Sequence, residues 1–333
     1  MSSEKIILDW KKNNFKPIYW LEGEEPFFID EIVDYAENKI LTESEASFNL
    51  TIFYGKDADW ATVINACRRY PMFAEKQVVI IKEAQQMKDI DKLESYVENP
   101  LSSTIFVVSY KDKKLDARTK FAKTVKTKGE LLSTKKMYDN KLPEWVNALL
   151  FHQNLAINPK ALAILIDNIG NDLSRIKTEI EKLIVNLGTR KTITEDDIET
   201  YIGVSKEYNI FELQDAIGKR NIAKALKIIQ YFEKNPKAAP IQLILPALYS
   251  FFSKVLTIFS ANSTDEKVIA AVLGVNPYFV KDYMQAAKNY NYGGVEKILL
   301  LLHHYNLKSV GIDNANNNDA ALMKELIMKA VLA

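Results

Sequence analysis

The residues placed to meet a phosphate are Glu22-Gly-Glu-Glu25, where the apolar run Ile18-Tyr-Trp-Leu21 ends and Pro26 leads into an amphipathic segment, Phe27–Leu41. Strand, tight turn and helix is the layout that turns backbone N–H groups and a helix N-terminus toward a nucleotide. A phosphate loop needs G-x-x-x-x-G-K-[ST] there, with its lysine facing the phosphates. This turn offers one glycine, no lysine and three carboxylates, Glu22, Glu24 and Glu25, whose charge repels a triphosphate. A second strand candidate, Val78–Ile81, runs into Lys82-Glu83, a lone carboxylate behind a cation where an ATPase needs magnesium ligands. The chain keeps the architecture of an ATPase without its chemistry, which points to a scaffold or actuator working beside active ATPases.

Other chemistry is sparse. His152, His303 and His304 stand in no spacing that suggests a metal site or a triad, and Cys67 is the one cysteine. A disulfide within the chain and a thiolate cluster are excluded, and a reducing, cytoplasmic setting fits. No catalytic residue, cofactor or metal ligand is assigned.

Three segments invite a binding role. In the first, Trp60, Val63, Ile64 and Cys67 lie at helical spacing and should face the sheet. Tyr70-Pro-Met-Phe-Ala74 then follows, where Pro71 disfavours further helix. Either the loop tucks Phe73 into the core, or Met72 and Phe73 form an exposed apolar plug for a partner's pocket; composition favours the tucked loop. In the second, residues 111–136 carry ten basic and three acidic residues, against nine acids and one lysine in residues 22–45. Arg118, Lys120 and Lys123 on this run are either a solvated face or a surface that tracks phosphates. In the third, Asp265–Ala287 has the spacing of a helix-turn-helix around Ala270 and Gly274, but its second helix opens Tyr278-Phe279-Val280, poor in base-reading side chains, and reads as packing.

The elements that must position these residues fall in three groups. Strand candidates Ile18–Leu21, Asn49–Tyr54, Val78–Ile81, Ile105–Ser109 and Gly129–Leu132 alternate with helix candidates Phe27–Leu41, Asp59–Arg69, Asp89–Val97 and Ala117–Lys126. Short continuous β-branched runs between helices predict an α/β domain with a mainly parallel sheet covered on both faces. From Lys141 to Gly203 only short helices are expected, a small bundle that suits a lid, with Pro143 and Pro159 at helix starts and Gly170 and Gly188 at helix ends. From Tyr208 the chain reads as all-α with longer helices, and Asn314–Asn318 as a polar loop. The predicted boundaries are 1–140, 141–207 and 208–333. A net charge of +1 predicts no strong global affinity for nucleic acid. Ile241–Phe259 is the most apolar stretch, but Gln242, Pro246 and Lys254 interrupt it, so a core helix is expected there and no membrane. The opening Met-Ser-Ser-Glu-Lys5 has no apolar signal region, so secretion is not expected.

Taken in order, these pieces resemble the delta subunit of the bacterial DNA polymerase III clamp loader over nearly the whole chain. Ile18-Tyr-Trp-Leu-Glu-Gly23 resembles that family's opening strand and degenerate loop, and Tyr70–Ala74 followed by Val78–Ile81 its clamp-binding tip and next strand. Lys111 to Lys123, with Lys114-Leu-Asp-Ala-Arg118, is similar to its basic signature, and Gly170-Asn-Asp-Leu-Ser174 with Glu179, Glu181 and Lys182 to its lid helix. Ile210-Phe-Glu-Leu213 and Asn276-Pro-Tyr-Phe279 with Ala286-Ala287 resemble its collar. The resemblance implies an AAA+-like domain lacking a P-loop, a helical lid and a helical collar that joins the other loader ATPase subunits in a five-membered ring. It implies a non-catalytic subunit of a DNA-directed DNA polymerase holoenzyme that grips and helps open the sliding clamp on primed DNA. The gripping pair maps onto Met72 and Phe73, with Pro71 directing the tip, and this reverses the preference that composition gave. DNA backbone contacts map onto Arg118, Lys120, Lys123 and Lys308. Near Lys308 the chain departs from the family pattern, with Asn306 and Val310 where an Asp and a second Lys are frequent. The competing readings are a helix-turn-helix transcription regulator with an inactive nucleotide-binding domain and a true ATPase with an atypical loop.

Overall fold

The computed structural model describes residues 2–205, 207–236, 239–261, 263–312 and 319–333; the expected Asn314–Asn318 loop lies outside them. The chain divides into two compact units, one ending at Met137 and one running from Tyr138 to Ala333.

The first unit runs α1 (Ser3–Lys11), β1 (Ile18–Gly23), α2 (Pro26–Lys39), α3 (Glu43–Asn49), β2 (Leu50–Tyr54), α4 (Trp60–Cys67), β3 (Gln77–Lys82), α5 (Glu94–Val97), β4 (Thr104–Lys111), α6 (Lys120–Lys128) and β5 (Glu130–Thr134). The five strands form one parallel sheet in the order β2-β3-β4-β1-β5. Period-2 alternation sends Trp20, Val79, Ile81, Phe106 and Val108 to one face, where they meet Val63 and Cys67 of α4, Tyr96 of α5 and Phe121 of α6. Tyr19, Leu21, Val78, Ile80 and Val107 go to the other face, against Ile6 and Trp10 of α1 and Ile29, Ile32 and Val33 of α2. The central strands β1, β3 and β4 are buried on both faces, which is why they read as unbroken apolar runs, while the edge strands β2 and β5 are only partly buried.

All five expected strands are present, with ends shifted by a few residues. Two helices were not foreseen. Ser2 caps α1, accepting from the Lys5 N–H, and a reciprocal Thr42–Glu45 capping box starts α3. Asn49 therefore closes α3 instead of opening β2. The helix expected at Asp89–Val97 is split: Asp89 is left-handed at φ 53°, Ile90–Leu93 is 3-10, and α-geometry begins at Glu94. The helix expected at Ala117–Lys126 begins only at Lys120, because Thr119 caps it by accepting from the Ala122 N–H, so Arg118 lies in the preceding turn.

The second unit opens with α7 (Leu142–Phe151), β6 (Ala156–Ile157), α8 (Pro159–Ile169), α9 (Leu173–Leu187), β7 (Thr192–Ile193) and α10 (Glu195–Asp197). Here the expectation of helices alone is corrected. β6 and β7 pair in parallel over two residues each, too short for a periodic signal. Gly170 and Gly188 end α8 and α9 at positive φ, as their positions predict. The unit continues with α11 (Ile210–Gly218), α12 (Ile222–Lys234), α13 (Ile241–Ile258), α14 (Glu266–Leu273), α15 (Val280–Ser309) and α16 (Asp319–Leu332); all but α14 share one large apolar core, and α14 packs Ile269, Ala270 and Leu273 with Val280 in a smaller one. α13 is long and apolar enough to cross a membrane, but its Ile244, Leu248, Phe252 and Val255 are packed into that core. α15, which would be the recognition helix of a helix-turn-helix, buries Val280, Ala286, Ala287 and Tyr290, so its first turns serve packing.

Candidate functional site

The apolar tip is the segment between α4 and β3. α4 ends where the buried Gln77 side chain donates to the Arg69 and Ala66 carbonyls at 2.5 and 3.2 Å. The Thr104 hydroxyl caps the Cys67 carbonyl at 2.9 Å. These two side chains, at the starts of β3 and β4, satisfy helix-end carbonyls that would otherwise be orphaned. The core face of α4 is complete with Val63, Ile64 and Cys67, and Trp60 packs at its margin. Burial pushes the Cys67 thiol well up from its ordinary range, so it is an inert core group.

Beyond that anchor the chain turns outward. Phe73 is 94% exposed, Tyr70 77% and Met72 53%, so Phe73 is not tucked into the core. Phe73 also holds a left-handed backbone at φ 54°. That conformation costs a bulky L-residue roughly 1–2 kcal/mol, and such strain persists only where the surroundings fix it. The fixing group is Asn49, almost fully buried, whose carboxamide bonds both the N–H and the C=O of Met72 at 2.7 and 2.9 Å. Sequence reasoning missed Asn49 because it is 23 residues away and was assigned to a strand. The result is an exposed Phe beside a half-exposed Met on a clamped backbone, an apolar surface left to solvent.

The turn after β1 is built differently from a phosphate cradle. Thr134, at the end of β5, accepts from the Glu25 N–H at 3.2 Å through its hydroxyl and from the Glu24 N–H at 3.3 Å through its carbonyl. The Glu25 carboxylate accepts from the Phe27 N–H at 3.3 Å and so caps α2 from within. The N–H groups of Glu24, Glu25 and Phe27 are thus engaged by the chain's own oxygens. Gly23 sits at φ +126°, and a Cβ there would meet the Thr134 carbonyl oxygen at 2.2 Å. Glu22 is buried and accepts from the Leu115 N–H at 2.9 Å, while Glu24 stands 3.8 Å from Lys114.

Burial holds the Glu22 carboxyl above its ordinary range, and the Leu115 N–H and Lys114 only partly oppose that. A carboxyl raised in the folded state contributes most stability below its unfolded pKa and loses that contribution as pH rises through the folded value. Glu22→Gln should therefore match or exceed the parent in urea midpoint at pH 8, with the gain vanishing below about pH 4. A parent protein more stable than the variant at pH 8 would mean that the Leu115 hydrogen bond outweighs desolvation.

Four of the ten basic residues in the run, Lys111, Lys114, Arg118 and Lys120, are paired with carboxylates. Lys111 bonds Asp30 at 2.7 Å, Arg118 holds Asp116 at 2.7 Å, and Lys120 lies 2.6 Å from Glu98 and 3.4 Å from Glu94. Lys123, Lys126 and Lys128 on α6 are exposed, and among the described residues they make no ion pair. Lys308 belongs to the second unit, where its ammonium lies 5.3 Å from the Tyr305 ring centroid. Asn306 and Val310 beside it are exposed.

The chain is similar to known proteins over both units. The family profile described as "DNA polymerase III, delta subunit" matches residues 19–135, and "DNA polymerase III delta subunit, C-terminal domain" matches residues 207–325. DNA polymerase III subunit delta of Bacillus subtilis (strain 168) is 27% identical over 336 residues, spanning 97% of this chain and 94% of the relative. The probable DNA polymerase III subunit delta of Aquifex aeolicus (strain VF5) is 24% identical, spanning 84% of this chain and 83% of the relative. The solved structure of the Bacillus subtilis DNA clamp loader delta protein superposes with a TM-score of 0.55 at 24% identity, covering 99% of this chain and 100% of that one.

Proposed function

Because the chain belongs to the DNA polymerase III delta subunit family, we propose that it binds the sliding clamp through Met72 and Phe73, directed by Pro71, and helps open it for loading onto primed DNA. The observation that carries this reading is the tip itself, an outward Phe73 on a strained backbone clamped to a buried Asn49. Exposed apolar surface costs solubility, and a strained conformation costs stability; a partner's pocket offsets both. We divide the chain into an AAA+-like domain at 1–140, a lid at 141–207 and a collar at 208–333 that meets the other loader subunits, and we place it in the cytoplasm. A pull-down from cell extract with the full chain as bait tests the reading. Recovery of the sliding clamp and the loader ATPases supports it, and recovery of neither overturns it.

The same reading makes this subunit passive toward ATP. The N–H groups of Glu24, Glu25 and Phe27 in its turn are taken by Thr134 and Glu25, and the turn has no phosphate lysine. Calorimetric titration with ATP and magnesium should give no micromolar binding; a micromolar isotherm contradicts it.

DNA contact is expected to be weak, indifferent to sequence and sensitive to salt, centred on Lys111–Lys128 and effective only in the assembled ring. Changing Arg118, Lys120 and Lys123 to Ala together should lower DNA-stimulated activity of the assembled loader and flatten its salt dependence. Because Arg118 and Lys120 already hold acidic partners, Lys123 should account for the largest share of the loss. Unchanged activity and slope would make the run a solvated face. Lys308 should contribute less than Lys123, since it packs against Tyr305 with Asn306 and Val310 beside it.

A further inference from the structure

Among the described residues no backbone–backbone hydrogen bond reaches residues 70–76, so that segment is not held by the sheet's own ladder. Its base is tied by the Lys76 ammonium, which donates to the Ser102 carbonyl at 2.7 Å, and the tip itself is held at Met72 by one buried side chain. Asn49 accepts from the Met72 N–H and donates to the Met72 C=O, as a neighbouring strand would, and its amide also donates to the Glu45 carbonyl at 3.0 Å. That third bond ties the carboxamide to α3, whose start is fixed by the Thr42–Glu45 capping box. Only a carboxamide combines a donor and an acceptor in this geometry; a carboxylate offers acceptors alone and an aliphatic side chain neither.

We propose that Asn49 is a positioning residue for partner capture. It fixes Met72 and, one residue on, the left-handed turn at Phe73, so the partner meets a tip already in its bound conformation. This rests on the reading that Met72 and Phe73 grip the sliding clamp. With Asn49 removed, residues 70–76 lose their cross-link to α3, and the entropy of ordering them must be met during binding. A few freed residues correspond to about a tenfold to hundredfold loss of affinity.

The test measures sliding-clamp binding by the full chain carrying Asn49→Ala, Asn49→Asp, the Met72→Ala and Phe73→Ala pair, or that pair with Asn49→Ala. Asn49→Asp keeps an acceptor for the Met72 N–H but sets a carboxylate against the Met72 and Glu45 carbonyls. It should lose affinity as Asn49→Ala does, and it serves if the alanine variant does not fold. Each Asn49 variant should bind about tenfold to hundredfold more weakly, and Asn49→Ala should cost little further once Met72 and Phe73 are gone. Amide exchange should quicken at Met72 and Phe73 while the β1 and β4 amides stay protected, a localisation that a fold-wide role would not give. If the Met72/Phe73 pair matters but the Asn49 variants bind as the parent does, the positioning role is overturned and the gripping reading stands. Full additivity of the Asn49 loss also overturns positioning. If the Met72/Phe73 pair binds like the parent, the gripping reading itself falls.

Discussion

Replacing Met72 and Phe73 together by Ala should weaken sliding-clamp binding by about two to four powers of ten while leaving the fold intact. Fully burying one such side chain is worth roughly 1.5–3 kcal/mol, and every 1.4 kcal/mol is tenfold in affinity. The two side chains contribute little to folding, because Phe73 is 94% exposed, Met72 53%, and the core face of α4 is complete without them. Their loss should move the urea midpoint by no more than a surface substitution does, within about 0.5 kcal/mol. Phe73→Ala alone should account for more of the loss than Met72→Ala, since Phe73 has the larger side chain and more of it free to be buried. Parent-like binding by the double variant, or loss of its cooperative unfolding transition, would mean that the pair is structural.

Gly23→Ala should be the most damaging single change for stability near the turn after β1, at about 3–5 kcal/mol. Two costs add: a backbone at φ +126° that an L-residue rarely adopts, and a Cβ placed 2.2 Å from the Thr134 carbonyl oxygen. In thermal unfolding this corresponds to a loss on the order of 10 °C. Thr134→Ala should not rescue it, because the nearest atom is backbone, and should itself be destabilising by releasing the Glu25 N–H. A Gly23→Ala protein that melts within about 2 °C of the parent would show that β1 and β5 separate easily there. The turn would then be open enough to admit a ligand, contrary to the self-filled cradle.

The sheet was legible in sequence because its central strands are buried on both faces. Val78-Val-Ile-Ile81 and Ile105-Phe-Val-Val108 leave no other economical use for eight apolar residues between helical segments. The replaced phosphate loop was legible as well, since phosphate binding requires particular residues at fixed spacing. What the sequence could not show was occupancy: that Thr134, more than a hundred residues on, takes the N–H groups of Glu24 and Glu25. The tip was ambiguous for the same reason. The composition of Tyr70-Pro-Met-Phe73 favours a tucked loop over a displayed one, and the contact that holds it displayed, Asn49 to Met72, joins segments distant in the chain. α1 and α3 were missed because they are short and announced mainly by their caps at Ser2 and Thr42. Arg118 was placed on a helix that Thr119 starts only afterwards, and β6 and β7 are too short to carry any period.

The most direct measurement of the central claim is site-specific photo-crosslinking from position 73. A photoreactive phenylalanine analogue replacing Phe73 in the full chain keeps the aromatic ring and its exposed setting. Irradiated with the sliding clamp and the other loader subunits present, it should crosslink to the clamp, and the same analogue at the buried Phe106 should not. Crosslinking from position 73 into this chain or a loader ATPase, with none to the clamp, would contradict the account.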